Sequence, residues 1–152
     1  MSGQPDLDAV LRCNGEQLLD LGALVNRRTI GIATGQLYAG ASRGAVTGVG
    51  TIGSGIPTSR SNSIPQIAAG QGAASNYDFH FADANTLDTT GDNNSSTGVG
   101  GLQRDTGSGS TRAFQSTLKP GVGSAGFRSV AGSIAGGVAT IEVISTDENF
   151  KP

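Results

Sequence analysis

Glycine occupies 25 of the 152 positions, and Ser and Thr hold another 30, so over a third of the chain works against helices. A glycine inside a helix costs about 1 kcal/mol relative to alanine, while Ser and Thr hydroxyls bond the backbone in turns or sit well in strands. A helical bundle is therefore disfavoured, and a mainly β protein is expected, a small sandwich or barrel with long Gly-rich loops. Leu, Ile, Val and Phe together number 33, about 22% of the chain. That lies just above the roughly 20% below which a highly charged chain stays disordered, and the net charge is only −2. Folding is feasible, but the core is thin. At roughly 25 cal/mol per Å² of buried apolar area, little stability remains once the backbone entropy of the chain is subtracted. Burial against other subunits is the natural supplement, and it would couple folding to assembly.

Charge and composition exclude several classes. Ten basic residues against twelve acidic ones, with a pI near 5.2, are the wrong balance for counterion release on a nucleic acid. No stretch approaches the roughly 18 apolar residues of a membrane span, and MSGQPDLD lacks the basic-then-apolar run of a secretory signal. Cys13 stands alone, so no intrachain disulfide forms, which suits assembly in a reducing cytoplasm.

Along the chain, residues 1–28 read as an N-terminal arm or short helical segment. Leu7, Val10 and Leu11 follow Pro5 and Asp6 at helical spacing, and Leu18 and Leu19 lie in an apolar run of undecided type. From 29 to 152 a β-rich body is expected. Thr29–Thr34 and Gln36–Ala39 are rich in β-branched or aromatic residues and broken by Gly, as strands joined by tight turns are. Tyr77, Phe79 and Phe81 alternate with Asp78 and His80, which places an aromatic row on one face and a solvated or interface polar row on the other. Residues 88–112 hold only Val99 and Leu102 as sizeable apolar groups, and read as a long loop or extended hairpin ordered by another chain. Ala139–Ile144 reads as a strand with Ile141 and Val143 inward, and small residues from Val130 to Gly137 permit close backbone approach.

Chemistry-bearing motifs are sparse. Gly48-x-Gly50-x-x-Gly53 and Gly121-x-Gly123-x-x-Gly126 match a dinucleotide-binding pattern, but neither has the strand before and helix after that the chemistry needs. A Ser or Thr hydroxyl activated by His80 and oriented by Asp78 or Asp83 would make a hydrolytic or carbohydrate-binding module. Asp88, Asp92, Asn93 and Asn94 offer oxygen ligands for Ca²⁺ without the order of an EF-hand loop. Arg27 and Arg28 form a local basic pair, read as a strand end or a contact to an acidic neighbour. No cofactor, metal site or catalytic residue is assigned from these patterns, and the chain is read as non-enzymatic.

Gly/Ala/Thr/Ser richness, scarce Lys, an N-terminal extension, and β segments such as RTIGIATGQLYAG (28–40) and GGVATIEVIS (136–145) together resemble small tailed-bacteriophage virion proteins, the capsid decoration or cement proteins. The resemblance implies a β-rich body, often trimeric, that clips onto the major capsid protein and reinforces it, assembling in the host cytoplasm into the virion. A tail, neck or fibre component is the alternative placement. Leu18, Leu19, Ile64 and Ile67, apolar residues in segments without an obvious intrachain sheet, are the candidate interface residues.

Overall fold

The computed structural model describes residues 11–13, 16–19, 24–44, 48–58, 65–69, 75–92, 100–109, 112–119 and 127–145, and the regular structure within them is β-strand throughout. Strands β1 (Leu11–Cys13) and β2 (Glu16–Leu19) pair as a short antiparallel hairpin. A first sheet follows, with β3 (Leu24–Ala33), β4 (Gln36–Gly44), β5 (Gly48–Thr51) and β6 (Gln66–Ala69) in chain order. The second sheet is also a meander, built from β7 (Ser75–Asp83), β8 (Thr86–Asp92), β9 (Gly100–Thr106) and β10 (Ala113–Lys119). A long hairpin of β11 (Phe127–Ala135) and β12 (Val138–Ser145) closes the order. All pairings are antiparallel and neither sheet closes on itself, so the mainly β expectation holds and a closed barrel is excluded.

Two of the turns follow directly from sequence. Ala33 pairs with Gln36 across Thr34 and Gly35, and Ala135 pairs with Val138 across Gly136 and Gly137. Both central residues of each loop have positive φ: 49° and 74° in the first, 58° and 78° in the second. That is the primed turn whose twist matches the flanking strands, and it demands residues tolerant of left-handed backbone. Thr34 adopts it without the glycine's freedom, its hydroxyl donating to the Ala33 carbonyl at 2.8 Å.

The second sheet is the middle layer. On one face, Phe79, Phe81 and Leu87 pack with Tyr38, Val49, Ile67 and Ala68 of the first sheet. The Tyr38 ring meets Phe81 at 4.5 Å and Phe79 at 6.3 Å, the latter edge-on. On the other face, Leu102 packs with Phe127, Val130, Ile141 and Val143 of the hairpin. Among the described residues these two small clusters flank the middle sheet, and Leu37, Ala39 and Ala41 of β4 and Ile52 just after β5 are buried as well. Ile141 and Val143 point inward as the alternation requires. Close approach of β11 also holds: a Cβ built on Gly132 would stand 2.9 Å from the His80 ring and 3.0 Å from the Thr140 carbonyl oxygen.

Four expectations need correction. Residues 88–112 are not an excursion, because β8 and β9 are the two central strands of the middle sheet; residues 93–99 between them lie outside the described residues. Their buried side chains include Asp88, Thr89, Thr90, Gln103 and Asp105, so hydrogen bonding rather than apolar periodicity places them inside. The polar row of β7 is not a solvated face, since Asp78 and His80 are half-buried beneath β11. Tyr77 leaves the aromatic row at a register shift between Asn76 and Asp78, and its ring meets Arg28 and Arg128. In the N-terminal arm, β3 already begins at Leu24, and the helical reading over 7–10 lies outside the described residues.

Candidate functional site

Antiparallel register brings the polar residues of the middle sheet into two sets. His80, Asp88 and Arg104 form one row across β7, β8 and β9, facing the hairpin. Asp88 is fully buried and receives two hydrogen bonds from the Arg104 guanidinium, Nε to Oδ1 at 2.7 Å and an Nη to Oδ2 at 2.9 Å. This fork-on-fork geometry raises the Arg104 pKa further above its ordinary value, with the Asp88 hydrogen bond as the main cause. Two residues before His80, farther from the β7–β8 turn, Asp78 accepts from the Phe79 amide at 2.9 Å through Oδ1. Its Oδ2 accepts from the Ser129 hydroxyl at 2.8 Å and the Val130 amide at 3.0 Å, so the carboxylate pins β11 onto β7.

Asp83 closes the β7–β8 turn. Its Oδ1 accepts from the Asn85 amide at 2.7 Å and its Oδ2 from the Thr86 hydroxyl at 3.0 Å. The Asn85 and Thr86 hydrogen bonds hold its pKa below the usual carboxylate value. The structure therefore does not assemble Asp78, His80 and Asp83 into a catalytic triad. All four carboxylate oxygens are engaged, with β11, with the Phe79 amide of β7, or with the backbone and hydroxyl of the turn, whereas a triad needs one of them on a His80 ring nitrogen.

On the opposite face of the middle sheet, Asp105 lies beside Leu87 in register. Burial pushes its carboxyl up to about 6; Arg112 pulls it back and Asp88 adds to the rise. Arg112 clamps the end of the sheet, donating to the Gly109 carbonyl at 2.9 Å and the Ala84 carbonyl at 2.6 Å, with its guanidinium 5.0 Å from the Phe81 ring centre.

Metal and nucleotide readings find little support in the geometry. Among the described residues no three His, Cys, Asp or Glu side chains converge on one point. Asp88, a Ca²⁺ candidate, is committed to Arg104, and Asn93 and Asn94 lie outside the described residues. Gly48–Thr51 is strand β5 and leads into bends instead of a helix; the second glycine motif, 121–126, lies outside the described residues. No helix among the described residues is long and apolar enough to cross a membrane.

The most distinctive surface feature is apolar and concentrated on edge strands. Ile30 and Ile32 stand 46% and 61% exposed on β3, the edge of the first sheet. Phe114 and Leu118 are exposed on β10, the edge of the middle sheet, and Ile134, Val138 and Ile144 on the hairpin. Of the four interface candidates, Ile67 is instead a core residue, 3% exposed against Tyr38, Val49 and Leu87 of its own chain. Its strand, β6, pairs with β5, a partner hidden at sequence level by the Ser-rich connection between them. Leu18 and Leu19 belong to β2, whose side chains lie outside the described residues, as does Ile64. The exposed edge residues were legible only as strand residues, because alternation does not tell which sheet face is covered. The chain matches no protein-family model, no curated protein and no solved structure.

Proposed function

We propose that this chain is a virion structural protein of the capsid-decoration kind, which homo-oligomerises, as a trimer in the arrangement its resemblance implies, and binds the surface of a major capsid protein to reinforce contacts between coat subunits. The observation that carries the proposal is the distribution of apolar surface. Large aliphatic and aromatic side chains stand exposed on the edge strands of both sheets and on the hairpin, while the apolar clusters that flank the middle sheet are small. Burying the exposed half of an Ile or Val side chain contributes about 1 kcal/mol, so several such residues per contact offset the cost of association. Unprotected edges are what monomeric proteins avoid and assembling ones use.

Two measurements test this. Sedimentation equilibrium of the purified chain at micromolar concentration gives its mass, and calorimetry of coat shells with and without the chain gives the shell melting temperature. A single oligomer and a higher shell melting temperature are expected. A monomer that leaves the shell's melting unchanged would refute the proposal.

A further inference from the structure

Three of the β-bulges, one from each layer, aim a side chain at a common point. Along β3 the partner of Arg27 is Ala41 and that of Thr29 is Gly40, so Arg28 is an extra residue. Along β7 Asn76 and Asp78 face Gly91 and Thr90, which makes Tyr77 extra. Along β11 Phe127 and Ser129 face Ser145 and Ile144, which makes Arg128 extra. A bulge turns its extra side chain out of the regular alternation. Here the three meet: the Arg28 guanidinium carbon is 4.8 Å from the Tyr77 ring centre, and that of Arg128 is 4.0 Å from it. Each bulge is held by the residues beside it. A Cβ on Gly40 would stand 2.7 Å from Asn76 Oδ1 and 2.8 Å from Thr29 Cγ2, so the bulged part of the first sheet is packed against β7. On the other side Asp78 accepts from the Ser129 hydroxyl and the Val130 amide, which fixes β11 next to Arg128.

We infer that Arg28, Tyr77 and Arg128 form a binding site for a phosphate dianion, free or at the end of a small monoester, independent of the assembly proposed above. The ring contacts act through charge, and a guanidinium carries five N–H donors, so a further partner on Arg128 leaves others for a ligand. The two guanidinium carbons are no farther apart than the sum of their distances to the ring centre, a span that one oxyanion bridges with hydrogen bonds of about 2.8 Å to each. The number of guanidiniums selects the ligand. Elsewhere in this protein a single one, that of Arg104, satisfies both oxygens of a carboxylate, Asp88. Two that arrive from different layers match an anion with more oxygens and a second charge, which phosphate supplies. No carboxylate among the described residues pairs with Arg28, and Asp78, the acid next to Tyr77, is committed to β11 and the Phe79 amide. Arg28 is exposed, and Tyr77 and Arg128 are half-buried, so the cluster is open to a solute. A net charge of −2 and a cluster of two cations disfavour a polyanion or an anionic membrane as the occupant.

Titration of the full chain with sodium phosphate at about pH 7.5, where the dianion predominates, tests the site against sodium chloride at matched ionic strength. The readout is the set of arginine Nε–H signals in nitrogen-15 NMR spectra. Two of them are expected to shift together and saturably, with a Kd of about 1 mM or tighter, and glycerol 3-phosphate is expected to move the same two. Arg28→Ala and Arg128→Ala should each weaken binding about tenfold or more. Arg28→Ala alters an exposed side chain and so decides the matter should Arg128→Ala disturb β11, which circular dichroism would show. No saturable shift by about 20 mM phosphate would overturn the inference, as would binding indifferent to Arg28→Ala. Acetate binding as tightly as phosphate would overturn it too, and so would attachment to vesicles carrying phosphatidate with no binding of inorganic phosphate.

Discussion

Replacing Asp105 with Asn removes a titration while keeping the shape of the side chain. Asp105 is 3% exposed, near the end of β9, and burial raises its carboxyl from 3.8 to about 6 despite the attraction of Arg112. Between those two values the folded chain holds a proton that the unfolded chain has released. Stability then falls as pH rises through this window, because the slope follows the protons bound by the unfolded state minus those bound by the folded one. Above about pH 6 the cost is fully present, and it amounts to about 3 kcal/mol at 1.36 kcal/mol for each tenfold change in proton affinity. Asn carries no such cost. The Asp105→Asn variant is therefore expected to equal wild type near pH 4 and to exceed it by up to about 3 kcal/mol at pH 7.5, a rise in Tm of roughly 6–12 °C for a chain of this size.

Urea denaturation at pH 4, 5, 6, 7 and 7.5 measures this, at one fixed protein concentration so that any self-association contributes equally. Other carboxylates cancel in the comparison. Asp83, whose lowered pKa gives stability that is lost as pH falls through its folded value, titrates alike in both proteins. A difference between variant and wild type that stays constant with pH would refute the reasoning. So would a variant less stable than wild type at pH 7.5, which would mean that the Arg112 attraction outweighs the burial.

Further perturbations probe the two faces of the middle sheet. Arg104→Ala leaves the fully buried Asp88 carboxylate unpaired and is expected to cost about 3–5 kcal/mol at pH 7, read from denaturant midpoints. Gly132→Ala drives a methyl group to 2.9 Å from the His80 ring and should cost about 1–3 kcal/mol, with much of the loss recovered in the Gly132→Ala, His80→Ala double variant. Ile67→Ala empties part of the Tyr38–Leu87 core and should cost about 2–5 kcal/mol, whereas Ile32→Ala, at an exposed edge, should change monomer stability by less than about 0.5 kcal/mol.

The β class and several strands could be read from residues alone, where the physics is local. Thr-Gly and Gly-Gly between β-branched runs mark hairpins because those residues accept positive φ, and Phe79, Phe81, Ile141 and Val143 point inward because a strand alternates. The middle sheet escaped for a physical reason: its central strands bury Asp, Thr and Gln. A buried Asp88 is stable only with Arg104 in register on the next strand, 16 residues along the sequence, and such compensation is non-local and invisible to hydropathy. The same limit applied to the interface candidates. Ile67 and Ile32 have equal hydropathy, and only the sheet order decides that one fills a core while the other stands on an edge.

That contrast bears on function. A chain that fills the centre of its middle layer with paired charges and hydroxyls has fewer apolar residues to hide, yet it leaves Ile30, Ile32, Val138 and Ile144 outside. If these residues served only to favour strand formation, Thr would do as well at each position and would not invite aggregation. Replacing all four by Thr separates the alternatives. Unchanged monomer stability with loss of the oligomer is expected if the edges exist for assembly; an oligomer that survives the replacement would show that the apolar edges are not what holds copies together.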